Sequence, residues 1–318
     1  GNFLTFGAGL KADLSDKLSI AVLFDQPFGS DITYDGIGAT TELGGTTAIA
    51  NTVSYTALLR YKFSDRISAH GGLRLQQADG NIALSGLAYG PAFSLAGFGA
   101  TTFNGYSVEL GHDFGVGFVL GAAYEIPDIA LRVALTYNSA ITHEFDTVES
   151  STLEAALNGT SVTEVETPQS INLDFQSGIA KDTLVFGSVR WAEWSEFKID
   201  PELFTPLAGG GLVDLDDSVT YTIGVGRRFT EQFSASVSYT YEAEDDDDLV
   251  SPLAPTNGLN AITLAGRWTT PDGVRISGGL RYSMLGDARP ETGTPDVERA
   301  DFTDNSALTL GLRVGFSF

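Results

Sequence analysis

Apolar and polar positions alternate without a phase error along the final stretch of the chain, Ser306–Phe318. Leu308, Leu310, Leu312, Val314, Phe316 and Phe318 fall on one side of an extended strand; Ala307, Thr309, Gly311, Arg313, Gly315 and Ser317 fall on the other. The same two-residue period recurs upstream. Val53, Tyr55, Ala57, Leu59, Tyr61 and Phe63 oppose Ser54, Thr56, Arg60 and Lys62, with Leu58 as the one apolar exception. Ile67, Ala69, Leu73 and Leu75 oppose Ser68, His70, Gly72 and Arg74, and further strands around Val219–Val225, Phe233–Tyr241 and Val274–Met284 repeat the pattern. One such strand would suit a soluble sandwich equally well; the repetition, with one wholly apolar face each time, predicts an all-β transmembrane antiparallel barrel.

The connections strengthen that reading. Short turns at Asp13–Asp16, Ser64–Arg66, Pro127–Asp128, Lys181–Asp182, Thr230–Gln232 and Pro271–Gly273 alternate with long segments near Gln26–Asn51, Gly80–Asn104, Glu144–Pro168, Asp200–Asp216, Glu242–Gly258 and Gly286–Asp304. Outer-membrane barrels keep short turns on the periplasmic side and long loops outside. Arg on a lipid face near the midplane costs roughly 2–4 kcal/mol, so the phase of Arg60, Arg74, Arg132, Arg190, Arg275, Arg281 and Arg313, with His70, assigns those faces to the lumen. Tyr61, Tyr124, Tyr137, Trp191, Tyr239, Tyr241, Trp268 and Tyr282 fall near strand ends, as interfacial girdles require. The turns flank thirteen strands within one domain spanning residues 1–318. Since barrels of this kind have even strand numbers, the count predicts fourteen in the complete protein, with the first strand and whatever precedes it absent here.

Composition narrows the alternatives. No run of 18 apolar residues exists, which excludes a membrane-spanning helix. Cys is absent, so disulfides and thiolate metal sites are excluded. A net charge of -23 argues against nucleic acid, whose phosphates demand a basic surface.

Four stretches invite a chemical reading. Leu84–Phe103 carries no charge, unlike an ordinary exposed loop; it predicts either a loop packed across the barrel mouth or an apolar capture patch at Leu87, Tyr89, Phe93, Leu95 and Phe98. Pro27, Phe28 and Gly29 interrupt a strand, because Pro donates no ladder bond and Gly suits a bulge; such a break either ends the strand or opens the wall sideways. Asp245, Asp246, Asp247 and Asp248 form an acidic loop, read as a solvated surface with Ca²⁺ or Mg²⁺ recruitment as the minor alternative. Ser151–Asn158 predicts a short helical segment with Ser151 and Glu154 as a capping box. Catalysis finds little support: His70, His112 and His143 are the only histidines, and none pairs with a Ser at a shared rim position. No catalytic residue and no cofactor is therefore assigned.

Thr167–Phe197, TPQSINLDFQSGIAKDTLVFGSVRWAEWSEF, resembles a hairpin of the FadL-type long-chain fatty-acid and hydrocarbon transporters of the Gram-negative outer membrane. The Pro-led strand, the short turn and the ending Trp194-Ser195-Glu196-Phe197 carry the likeness, which extends diffusely over strand order and loop size. The resemblance implies a monomeric fourteen-stranded barrel plugged by an amino-terminal hatch, inserted by the barrel-assembly machinery. It further implies capture of a hydrophobic molecule by outer loops and sideways release into the membrane through a kinked strand. Leu84–Phe103, Pro27–Gly29 and Ser151–Asn158 match the family's features in position; the hatch and first strand have no counterpart in this sequence. The expected function is passive outer-membrane uptake of hydrophobic small molecules such as fatty acids or hydrocarbons, with lumenal Arg groups holding any anionic head. A general or anion-preferring porin is the runner-up, and a structural barrel or adhesin the third reading.

Overall fold

The computed structural model describes residues 3–90, 102–245, 249–292 and 297–317. Among them, strands run in chain order as β1 (Ala8–Asp13), β2 (Leu18–Asp25), β3 (Gly29–Thr33), β4 (Thr47–Lys62), β5 (Ile67–Leu84), β6 (Tyr106–Ile126) and β7 (Leu131–Asn138). They continue as β8 (Ile141–Ser151), β9 (Gly159–Thr167), β10 (Ser170–Ala180), β11 (Thr183–Ala192), β12 (Ser218–Arg228), β13 (Phe233–Glu242) and β14 (Leu249–Val250). The last are β15 (Leu259–Thr269), β16 (Arg275–Leu285), β17 (Arg289–Thr292), β18 (Val297–Glu298) and β19 (Ser306–Gly315). A single short α-helix, α1 (Phe204–Ala208), lies among the described residues.

Thirteen strands form one wall in the order β1-β2-β4-β5-β6-β7-β10-β11-β12-β13-β15-β16-β19. Every pairing along it is antiparallel, and β1 and β19, which run in the same direction, pair along this wall only with β2 and β16. Contacts between distant strands show the sheet curling round on itself. Phe28, after the second wall strand, packs on Trp194, after the eighth, with ring centroids 5.5 Å apart. The apolar face of each strand points outward, with Leu73, Tyr221, Leu264 and Leu310 all exposed. So large an uncovered apolar belt is tolerable only against lipid. The opposite face turns inward and holds Ser54, Thr56, Ser68 and Gln76, all buried.

At the long-loop end the structure departs from the loop boundaries predicted above. β4, β5 and β6 continue to 16, 18 and 21 residues and rise beyond the short-turn halves of their neighbours. The segment assigned to a loop at Glu144–Pro168 contains most of a hairpin, β8–β9. Asn138 faces Ser170 in β7–β10 and Ile141 faces Thr167 in β8–β9, an unchanged stagger. The two pairs therefore make one long hairpin, interrupted where Pro168 removes a donor. At its tip the predicted capping box is half formed. Ser151 Oγ accepts from the Glu154 N–H at 3.1 Å, but the Ser151 N–H donates to Asn158 Oδ1 rather than to Glu154. The turn is a 3₁₀ segment, Ala155–Leu157, and the Glu154 carboxylate accepts from the Ala156 N–H instead.

Candidate functional site: mouth, lumen and a break in the wall

The interior changes character with height. Inward positions of β5, from the short-turn end upward, read Ser68, His70, Gly72, Arg74 and Gln76, and then Ala78, Gly80, Ile82 and Leu84. Above Gln76 these side chains join an apolar cluster with Ala48, Tyr106, Val108, Leu110, Phe145 and Val165. The segment between β11 and β12 folds into the same cluster, contributing Ile199, Phe204, Leu212 and Val213. Phe204 packs at a tilt on Phe103, with ring centroids 4.8 Å apart, and on Tyr106, at 4.9 Å. Glu149 seats that segment: its carboxylate accepts from the Tyr106 hydroxyl at 2.8 Å and from the Leu203 and Phe204 N–H groups at 2.9 Å each. A buried carboxylate requires such partners, and Glu149 is only 1% exposed.

Below this apolar mouth the lumen is polar and charged. Glu125 accepts from Arg60 at 2.8 Å and from Arg132 at 3.1 Å. Arg74 donates to Thr56, Arg190 to Asn172, and His70 lies 3.3 Å from Thr136. Arg281 and Arg275 bond to Ser283 and Ser317, on the opposite part of the wall. The predicted lumenal set is thus divided: Arg60 and Arg132 share one carboxylate, and Arg275, Arg281 and Arg313 sit apart on β16 and β19.

Between mouth and lumen the wall itself is interrupted. β2 pairs with β4 as far as Asp25 opposite Ser54; pairing resumes in β3 with Gly29 opposite Asn51. Four steps on one strand meet three on the other, a bulge of one residue at Gln26–Phe28. The extra residue inverts the faces: Leu23 turns inward opposite Thr56, and after the bulge Ile32 turns inward opposite Ala48. Thr52 replaces the missing ladder bonds, since its hydroxyl accepts from the Phe28 N–H at 2.9 Å and donates to the Phe28 carbonyl at 2.6 Å. Thr52 stands opposite Ala78, one step above Gln76 on the inward face of β5, so the break is level with the change from polar to apolar lining. On its other side β2 pairs with β1 only up to Phe24, and Gln26 Oε1 then accepts from the Phe6 N–H.

Phe28 connects this break to the Trp194-Ser195-Glu196-Phe197 motif. Trp194 touches both Phe28 and Phe197, the latter at 5.9 Å. Ser195 gives Asp217 a hydroxyl bond at 2.7 Å and an N–H bond at 3.1 Å, and the Trp191 indole donates to the same carboxylate at 3.1 Å. These donors hold the Asp217 carboxyl below the usual carboxylate range, the Ser195 hydroxyl most of all. Sequence patterns missed Thr52 and Glu149, each a single polar residue whose partner is remote in the chain.

Of the predicted capture residues, Tyr89 packs against the apolar cluster and burial pushes its phenol up to about 12, while Leu87 is exposed at the rim. Phe93, Leu95 and Phe98 lie outside the described residues, as do Asp246, Asp247 and Asp248; the Asp245 N–H donates to Asn257. Gly86 holds a positive φ of 117°, and a Cβ there would meet the Glu42 carbonyl at 2.1 Å. This close approach lets Leu87 and Ala88 donate their N–H groups to Thr41 and Glu42.

A lipid-facing antiparallel wall, short turns at one end and an apolar mouth over a polar lumen define an outer-membrane β-barrel. Residues 7–246 match the family described as outer membrane protein transport protein (OMPP1/FadL/TodX), and the chain belongs to that family. It is accordingly an outer-membrane transport protein. Solved structures share the fold: the toluene transporter TodX of Pseudomonas putida (TM-score 0.60, 14% identity, covering 90% of this chain and 78% of that one) is one. Another is the toluene transporter TbuX of Ralstonia pickettii (TM-score 0.62, 11% identity, covering 88% and 76%). The CymD monoaromatic hydrocarbon channel also aligns (TM-score 0.57, 12% identity, covering 89% and 78%). No curated protein matches the chain significantly.

Proposed function

We propose that the protein takes up hydrophobic small molecules, catching them in the apolar mouth and releasing them sideways into the membrane through the break at Gln26–Phe28. The coincidence in height of that break with the end of the apolar lining supports this reading most strongly. A hydrocarbon moving further down would leave Ile82, Val108 and Phe145 for Gln76, Arg74 and Arg60, losing roughly 0.8 kcal/mol of burial per CH₂. Sideways exit instead leads from one apolar environment to another. The route has Leu87 and Tyr89 at its entrance, the cluster around Phe204 as its holding site, and Pro27, Phe28 and Gly29 at its exit. Where the cargo is a fatty acid, Arg74 and Arg190 orient its carboxylate from below by charge-assisted hydrogen bonds. The protein works as a monomer without cofactor, chemical step or energy coupling, surrounded by outer-membrane lipids after insertion by the barrel-assembly machinery.

Proteoliposomes test this against the porin alternative. Toluene or a long-chain fatty acid should enter faster with the protein present, and ion conductance should stay small. A steady large conductance with no effect on hydrocarbon entry would establish the porin instead.

A further inference from the structure

Between the first and the last long connections lies a cleft of about 420 Å³ that takes no part in the route just described. Its size falls within the roughly 300–1,000 Å³ of small-ligand sites. One wall is aromatic: the rings of Tyr34 and Phe302 lie 6.0 Å apart and within 25° of parallel. Both are fixed. The Tyr34 hydroxyl donates to the Pro252 carbonyl at 2.8 Å, and Phe302 exchanges two backbone hydrogen bonds with Ala288. The other wall is charged. Arg299 reaches Glu42 Oε2 from Nη1 at 3.4 Å, and its Nε donates to Thr292 at 2.6 Å, which sets the plane of the guanidinium. Leu43, only 4% exposed, supplies an apolar lining.

Each wall constrains what fits. A flat aromatic guest adds its ring to the outer face of the Tyr34–Phe302 pair, at the roughly 4.5–7 Å centroid separation that such contacts prefer. The Arg299–Glu42 contact is longer than a good hydrogen bond, so the guanidinium keeps donors and the carboxylate keeps acceptor sites to offer. Asp35 stands exposed at the same cleft, leaving two carboxylates against one guanidinium and a local field that opposes an anion. A neutral hydroxyl satisfies both partners, donating to Glu42 and accepting from Arg299.

We propose that the Tyr34–Phe302–Glu42–Arg299 cleft is a second binding site, for a neutral hydroxylated monoaromatic of the phenol class. It also lies against the entrance. The Glu42 carbonyl accepts from the Ala88 N–H and the Thr41 carbonyl from the Leu87 N–H, so a guest on the Glu42 side chain docks one residue from the segment that borders the mouth. The site stands independently of lateral release, because no residue of the wall break contributes to it.

Ligand-observed saturation-transfer NMR on the full detergent-solubilised chain tests it, with phenol, toluene and benzoate as probes. Phenol should bind saturably and benzoate at least about tenfold more weakly. Glu42→Leu and Arg299→Leu should each weaken phenol about tenfold, the scale of one hydrogen bond to a charged group, without affecting toluene. Phe302→Ala should weaken both neutral rings. Wild-type folded mobility of each variant on unheated gels verifies that it is folded without appeal to the transport route, so failure of this site and failure of that route are read separately. Benzoate binding as tightly as phenol, or phenol affinity unchanged in Phe302→Ala or Glu42→Leu, would overturn the proposal.

Discussion

Phe28 and Trp194 are far apart in the chain, yet their edge-to-face contact joins the broken strand to the Trp-Ser-x-Phe motif. Such pairs are worth about 0.5–1.5 kcal/mol beyond burial. A double-mutant cycle with Phe28→Ala and Trp194→Ala should therefore return a coupling of about that size in thermal stability. Strict additivity would show that the two rings merely lie near each other. The interruption at Pro27 was legible because a missing N–H is written into residue type. Thr52 was not, since nothing in a strand threonine reveals that its hydroxyl will stand in for two ladder bonds.

At the scale of elements, the wall strands were readable because lipid imposes one chemistry on every second residue. The β8–β9 hairpin escaped for the converse reason. Its inward row mixes Ile141, His143, Phe145, Thr147 and Glu149, and its outward row carries Glu144, Asp146, Glu164 and Glu166, so no lipid face appears. The segment between β11 and β12 is likewise held by single polar residues, Glu149 from outside it and Asp217, at its end, closing onto Ser195 near its start. Asp217 gives that attachment a pH dependence. Its folded carboxyl titrates below its unfolded value, so its contribution is complete above about pH 4 and is lost as pH falls through the depressed value. Hydrogen exchange across 193–217 should accordingly be constant from about pH 7 to 5, after correction for intrinsic rates, and rise below about pH 4. Asp217→Asn should abolish that acid step; protection already lost near pH 6 would place its origin elsewhere.

Across the whole molecule, the thirteen-strand antiparallel wall followed from period and turn length alone. The vertical division of the interior did not. It arises because β4, β5 and β6 outgrow the wall and because distant segments, Ile199–Val213 among them, fill the space they enclose. That division makes the height of the wall break meaningful. The bulge also supplies its own test, since removing one residue at Gln26–Phe28 would let β2 continue into β3 at a constant stagger against β4. The decisive measurement is toluene and fatty-acid entry into proteoliposomes by a Pro27 deletion variant that retains the wild-type folded mobility. Lateral release predicts that uptake falls towards the protein-free rate while ligand binding in the mouth persists; uptake undiminished with the wall closed would contradict it.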